Sequence, residues 1–332
     1  MKLKAGESGR NLAKAGMDLR ARLGENSSRE GEGCMDIEWI AVDWGTSNLR
    51  AWAMGADGIL AHAESDRGMG TLTPDAFEPA LLALVEPWLG AGRTVLACGM
   101  VGARQGWREA AYRQVPCAPT DPLGLTPVAT QDPRLTVLIA PGLSQDRPAD
   151  VMRGEETQIA GALALHPGFD GVFCLPGTHS KWVQVSASEV VSFQTFMTGE
   201  LFALLSTRSV LRHSMAEGWD EAAFEGGLSD SLSRPERIAA MLFSLRAEGL
   251  LHGLSGAAAR ARLSGLLIGI ELAGSRPYWL GQKVKLIGAE ALSARYAAAL
   301  ALQGVPADTL DATACTLAGL ARLHAGLKGI RR

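Results

Sequence analysis

Residues 40–52 read IAVDWGTSNLRAW. Three apolar residues run into Asp43, and Gly45, Thr46, Ser47 and Asn48 then separate this run from the alternating residues Leu49, Ala51 and Ala53. The pattern predicts a strand, a sharp turn and a second strand, with a carboxylate at the end of the first. Such a turn offers backbone N–H groups and hydroxyls to an anion, and Asp43 stands where a phosphate-bound Mg²⁺ needs an oxygen ligand. The β-rich pattern continues on both sides, giving strands over 38–44, 48–54 and 59–65. Gly55-Ala56-Asp57-Gly58 supplies the second hairpin turn.

Beyond this meander the spacing predicts a helix over 74–89, with Thr73 as N-cap and Pro74 in the first helical position. A strand over 94–98 leads into a glycine-rich loop, Gly99 to Trp107, and another strand covers 136–140. A second cycle follows: a helix over 150–166, then strands over 172–175, 180–185 and 190–196 with the turn Pro176-Gly177-Thr178. Residues 199–275 read as mainly helical, 284–287 as a strand, 288–302 as a helix and 312–327 as a terminal helix. Gly-Thr thus recurs at a turn in each cycle, a faint internal duplication. The expected architecture is α/β, in two lobes with an interlobe cleft. Lobe boundaries are expected at 36–150 and 151–311, with 312–332 packing back on the first lobe. Residues 1–35 are polar and are read as a disordered extension, with Met35 as a candidate functional start; a short helix over 12–23 is the competing reading.

Composition narrows the partners. With 47% hydrophobic and 20% charged residues over 332 positions, the chain can bury a substantial core. A net charge of −3 without a sustained basic stretch argues against nucleic acid. No apolar run reaches the roughly 18–20 residues that cross a bilayer, so no membrane is expected as a partner. The five cysteines are scattered and no CxxC or HExxH occurs, which argues against a disulfide framework or structural zinc. The N-terminal segment lacks the apolar region of a secretory signal, and a reducing cytoplasm is the expected setting.

Gly-Lys does not occur in the chain, which removes the Walker phosphate loop. Two other turns can converge N–H groups on phosphate: Gly45-Thr46-Ser47-Asn48 and Gly177-Thr178-His179-Ser180-Lys181. Ordinary hairpins explain each of them equally well when taken alone. Phosphoryl transfer to an alcohol also needs a carboxylate to orient or deprotonate the hydroxyl. Glu155 and Glu156 stand together at a helix start, where acidic residues also complement the helix dipole. Consecutive helical residues project about 100° apart, so only one of them should face a cleft. In the loop 99–107, Arg104 suits a substrate carboxylate, Gln105 suits hydroxyls and Trp107 can wall a pocket. Gly288, at a strand-to-helix turn, leaves room for an adenine plane.

The blocks VDWGTSNLRAW, CGMVGARQGW, APGLSQ, DVMRGEETQ, LPGTHSKWV and FMTGELFALLS occur in this order between residues 42 and 206. They resemble the 2-dehydro-3-deoxygalactonokinase family, a sugar-acid kinase branch of the actin/hexokinase/Hsp70 ATPase superfamily, and the likeness spans residues 37–327. The resemblance implies two ribonuclease-H-like lobes with ATP and sugar acid between them. It implies ATP-dependent phosphorylation of 2-dehydro-3-deoxy-D-galactonate at its 6-hydroxyl, in D-galactonate degradation. Asp43 to Asn48 match the first phosphate motif of the superfamily, and Gly177 to Lys181 match the second, with Gly177, Thr178, His179 and Lys181 on phosphate. Leu286 to Glu290 match the adenosine motif, with Gly288 alone where the pattern carries two glycines. Related kinases place an Asp base at the start of the preceding helix, where this chain has Glu155 and Glu156. Mg²⁺ is expected on Asp43 through water, and Arg104 with its loop on the sugar acid. A homodimer is compatible with the family. The alternatives are a kinase for another sugar acid, such as 2-dehydro-3-deoxygluconate, and a non-catalytic nucleotide-binding regulator.

Overall fold

The computed structural model describes residues 36–330, so the expectations for 1–35 lie outside the described residues. Two sheets of matching topology organise the chain. The first takes β1 (Trp39–Trp44), β2 (Leu49–Gly55), β3 (Gly58–Ser65), β4 (Arg93–Cys98), β6 (Thr126–Val128) and β7 (Leu135–Ile139) in the order β3-β2-β1-β4-β7-β6. β1, β2 and β3 form an antiparallel meander, while β4 and β7 add on parallel. The second takes β10 (Gly171–Leu175), β11 (Ser180–Ser186), β12 (Glu189–Phe196), β13 (Val284–Gly288) and β14 (Ala307–Asp311) in the order β12-β11-β10-β13-β14. Again the meander is antiparallel and the last two strands are parallel. This repeated order is the two-lobed ribonuclease-H-like fold of the actin-like ATPases.

The burial of β1 shows why its sequence is apolar on both faces. Ile40, Val42 and Trp44 pack towards α1 (Phe77–Val85), joining Phe77, Leu81 and Trp88. Trp39 and Ala41 point the other way, against Leu317, Leu320 and Leu323 of the terminal helix. Strands covered on both sides lose the polar alternation of half-exposed ones. Asp43 shares the face of Trp39 and Ala41 by the two-residue period of a strand.

A small third sheet joins β5 (Tyr112–Gln114), β8 (Gly142–Asp146) and β9 (Ala149–Met152). It is tied to β12 by side chains. Gln145 donates to the Phe193 carbonyl at 3.0 Å and accepts its N–H at 2.9 Å, and the Asp150 carboxylate accepts the Thr195 N–H and hydroxyl, both at 2.7 Å. These strands account for a difference from the expected helix over 150–166. Residues 149–152 pair with β8, and α2 (Glu155–Leu165) starts only after Gly154, whose φ of +104° lies in the left-handed region. The expected helix over 74–89 is likewise divided, into short 3₁₀ turns at Pro74–Ala76 and Glu86–Trp88 around α1. Pro87 has no N–H to continue the ladder, and the Thr73 side chain makes no capping bond.

The helical region comprises α3 (Thr198–Thr207), α4 (Glu221–Ser233), α5 (Ile238–Leu251), α6 (Gly256–Gly274) and α7 (Arg276–Trp279). After β13 come α8 (Glu290–Ala301) and, following β14, α9 (Ala312–Ile330). No helix among the described residues is long and apolar enough to cross a membrane.

α2 packs on the second sheet through Ile159, Ala162 and Leu163, and α9 packs on the first. The two helices cross at Gly161 and Gly319. A Cβ on Gly161 would lie 1.8 Å from the Cys315 carbonyl oxygen, and one on Gly319 would lie 2.0 Å from the Thr157 carbonyl oxygen. Neither backbone can yield without separating the helices. Gly161→Ala is therefore expected to destabilise the protein by about 2–3 kcal/mol and lower Tm by several degrees. Gly226→Ala, on the exposed side of α4 with no atom within 4 Å of the new methyl group, should instead stabilise by about 0.5–1 kcal/mol. Thermal unfolding of both variants reads the contrast, and equal shifts would contradict the backbone-contact account.

Candidate active site

The turn between β1 and β2 is held from behind. Gly45 donates its N–H to the Asn48 carbonyl at 2.9 Å, and Met69 and Gly70 donate to the Gly45 and Thr46 carbonyls at 2.9 Å. Trp44 Nε1 donates to the Arg67 carbonyl at 3.0 Å. Gly68 packs against the turn so closely that a Cβ there would lie 2.2 Å from the Ser47 carbonyl carbon. With its carbonyls bonded backwards, the turn keeps donors for the cleft side. Asp43 pairs with Arg50, its cross-strand neighbour, and Arg50 also donates to Thr313 Oγ1 at 3.3 Å at the start of α9.

The second turn, between β10 and β11, is buttressed by α3: Glu200 donates its N–H to the Thr178 carbonyl at 2.9 Å. His179 Nε2 lies 2.6 Å from Glu200 Oε2, both groups being partly exposed. Behind the turn a buried network fixes β11. Ser180 Oγ is 2.9 Å from Tyr296 Oη, while Tyr296 and Trp182 donate to Glu271 at 2.7 and 2.8 Å. Lys181 is buried, with Nζ 3.4 Å from both Glu155 Oε1 and the His179 carbonyl.

A cavity of about 380 Å³ lies between the two turns. Asp43, Gly45 and Thr46 line it from the first sheet, and Gly177, Thr178, His179 and Gly288 from the second. Glu155 opens onto the same space from α2. Ser47 and Asn48 line an adjoining cavity of about 760 Å³, which shares Asp43, Gly45, Thr46 and Thr178.

The two adjacent glutamates have different surroundings. Glu155 Oε2 accepts the Arg153 N–H at 3.0 Å, and its other oxygen faces Lys181. Glu156 is fully buried, and its carboxylate accepts the Gly154 N–H at 2.7 Å and the Thr157 hydroxyl at 3.0 Å. Burial first, and then the negative charge of Glu155, push Glu156 up to about 8. Cys98 lies close to Asp43, and burial, followed by the charges of Asp43 and Glu156, pushes its thiol up.

The loop 99–107 does not deliver its expected side chains to this space. Arg104 is 81% exposed and faces Glu109 at 3.5 Å, and Gln105 is exposed. Trp107 sits edge-on to Trp44, with ring centroids 6.0 Å apart, and stacks on Phe77 at 6.2 Å. It caps the core of the first sheet and lines a separate cavity with Pro74 and Glu78. Gly99, Met100 and Arg153 take the cleft wall instead. Gly288 lies on the wall of the cleft cavity. The space its missing side chain leaves is bounded by the Pro176 carbonyl and Ser293 Oγ, each 3.1 Å from an added Cβ. The apolar pocket beyond the second turn, about 260 Å³, is lined by Phe202, Leu267, Leu292 and Arg295 together with Gly177 and Thr178. The sequence carried a partial signal for it, since Phe202 lies in the FMTGELFALLS block.

Comparison with known proteins shows the family. The 2-keto-3-deoxy-galactonokinase family profile matches residues 43–323. The probable 2-dehydro-3-deoxygalactonokinase of Rhizobium meliloti is 42% identical over 293 residues, covering 85% of this chain and 95% of the relative. The 2-dehydro-3-deoxygalactonokinase of Escherichia coli is 37% identical over 301 residues, covering 89% and 98%. The crystal structure of a candidate 2-dehydro-3-deoxygalactonokinase from Sinorhizobium meliloti superposes with a TM-score of 0.82 at 40% identity, covering 87% of this chain and 99% of that one.

The Glu156 environment has a consequence for stability. The folded protein holds a proton on Glu156 up to a pH of about 8, whereas an unfolded chain releases it near the ordinary value of 4.5. The contribution is complete below the lower value and is lost as pH rises through the higher one. Wild type should therefore lose stability relative to Glu156→Gln between about pH 5 and 9, by a few kcal/mol in order of magnitude. Parallel Tm-against-pH curves for the two proteins would rule this out.

Proposed function

The chain belongs to the 2-keto-3-deoxy-galactonokinase family and phosphorylates 2-dehydro-3-deoxygalactonate at the expense of ATP, and on that premise we propose how its cleft performs the transfer. ATP lies with its phosphates between the turns 45–48 and 177–179, against converging N–H groups and hydroxyls. Its adenosine occupies the apolar pocket of Phe202, Leu267, Leu292 and Arg295, which shares Gly177 and Thr178 with the phosphate cavity.

Glu155 receives the proton of the acceptor hydroxyl. The oxygen–phosphorus bond to the acceptor forms as the bond from the γ-phosphorus to the bridging oxygen of ADP breaks. One observation carries this choice: of the two adjacent carboxylates, Glu155 opens onto the cavity between the turns, whereas Glu156 is fully buried. Lys181 holds the Glu155 carboxylate from the side of β11. Glu156 fixes the backbone from which Glu155 projects, through its bond to Gly154 N–H.

Mg²⁺ binds through few protein carboxylates when phosphates and water supply its other ligands. The described residues contain no group of three ligating side chains, and Asp43 alone offers a carboxylate on the first-sheet side of the shared cavity. That donor set fits an ion carried in with the nucleotide, held by Asp43 through water. When bound, the ion supplies neutralisation of phosphate charge. Arg50, which pairs with Asp43 and bonds Thr313, orients that carboxylate.

Glu155→Gln is expected to lower kcat by about 10²–10⁴-fold with little change in KM for ATP. Glu156→Gln should retain activity to within about tenfold. Steady-state ADP release with the 2-keto-3-deoxy sugar acid as acceptor measures both, and the reverse ranking would transfer the role to Glu156.

A further inference from the structure

Glu271 of α6 is 1% exposed and makes no ion pair among the described residues. Its partners are neutral donors. Oε1 accepts Trp182 Nε1–H at 2.8 Å, Oε2 accepts the Tyr296 hydroxyl at 2.7 Å, and Tyr296 Oη lies 2.9 Å from Ser180 Oγ. Burial pushes the carboxyl above its ordinary value, while the hydroxyls of Thr198 and Tyr296, the Trp182 indole and the Ser180 hydroxyl pull it down. A buried carboxyl is costly, and apolar side chains of similar volume fill such places at no loss of stability. The residues that Glu271 joins give it a different use.

These partners come from three elements that meet on the second-sheet side of the cleft. Ser180 opens β11 directly after the turn 177–179, and Trp182 follows it on the same face. Thr198 opens α3, which is pressed onto that turn: a Cβ on Gly199 would lie 2.2 Å from the Gly177 carbonyl oxygen. Tyr296 belongs to α8. Thr198 and Tyr296, together with Gly177 and Thr178, line the apolar pocket of about 260 Å³. We propose that Glu271 is the positioning residue of the nucleotide half of the cleft: from behind, it ties the second phosphate turn to the wall of the adenosine pocket and so sets the affinity for ATP. The assignment rests on the nucleotide placement given above. A wall and a turn held to one carboxyl need little further ordering when a ligand binds, and that raises affinity. Shape and hydrogen bonding carry this role. An amide of the same shape also serves, because its oxygen accepts from Trp182 and its NH₂ donates to Tyr296 Oη, whose hydrogen then turns to Ser180.

Calorimetric titration of the full-length protein with ADP and Mg²⁺ reads this affinity directly, in wild type, Glu271→Leu, Glu271→Gln and Leu81→Ala. Leu81 is buried in the core of the first sheet, so its truncation destabilises the fold without touching the network. Glu271→Leu should weaken ADP binding by about 10–100-fold, as two hydrogen bonds are lost and their donors stay buried. KM for ATP should rise in step, with KM for the sugar acid unchanged. Glu271→Gln should bind ADP to within a few-fold of wild type, and Leu81→Ala should lower Tm but leave ADP binding as it is. Unchanged ADP binding in Glu271→Leu overturns the proposal, as does a glutamine variant as weak as the leucine one. Equal weakening in Leu81→Ala, or a parallel rise in KM for the sugar acid, marks a structural role and also overturns it. Should the Glu271 variants not fold, Tyr296→Phe decides, because it removes the hydroxyl between Glu271 and Ser180 and keeps the ring: weaker ADP binding supports the proposal and unchanged binding overturns it. A wild-type protein that bound no ADP would instead refute the nucleotide placement itself.

Discussion

The crossing of α2 and α9 is the contact on which the cleft depends. α2 follows the small third sheet and covers the second, whereas α9 follows β14 of the second sheet, yet covers the first. The first lobe is therefore completed by a helix whose sequence neighbour belongs to the second. Gly161 and Gly319 let the two backbones touch, and Gln158 Nε2 adds a bond to Thr316 Oγ1 at 3.4 Å. The same crossing brings both helix starts to the cleft, since Glu155 and Ala312 line one cavity. The positive ends of two helix dipoles thus face the space where phosphate is proposed to bind.

Within that frame, adjacent glutamates divide two tasks that the sequence presents as one. Both fold back on backbone N–H groups ahead of α2, as first-turn acidic residues do. Capping and the proposed catalytic role do not compete, because the 100° step between the two residues sends Glu156 into the core and Glu155 to the cleft. Burial keeps Glu156 protonated over a range in which an ordinary carboxyl is ionised. A second full negative charge beside Glu155 would oppose the approach of ATP, so the neutral form of Glu156 serves the site as well as the fold.

The two meanders were legible because their period-two patterns and glycine turns are local properties, and β1 to β3 begin and end within a residue of expectation. The strands β5, β6, β8, β9 and β14 were not expected. They are three to five residues long, and side-chain and backbone bonds to distant partners hold some of them in place, as between Gln145 and Phe193. Such partners leave no periodic trace. Asp150 at the supposed helix start illustrates this: its carboxylate serves Thr195 on β12, and the helix begins beyond Gly154.

The same limit governs the acceptor wall. Arg104 and Arg153 are equally prominent in sequence, each beside glycines in a family block, and only burial separates them. A guanidinium in water has its hydrogen bonds and screening supplied and gains little from one more partner. A buried guanidinium with idle donors keeps the full cost of leaving water. Sequence reasoning favoured the arginine in the more glycine-rich loop. Folding sends that loop's tryptophan into the core with Trp44 and Phe77 and leaves its arginine in solvent. The buried arginine falls instead in the segment that carries Glu155, where Arg153 stacks on Tyr112 and donates to the Ala110 carbonyl.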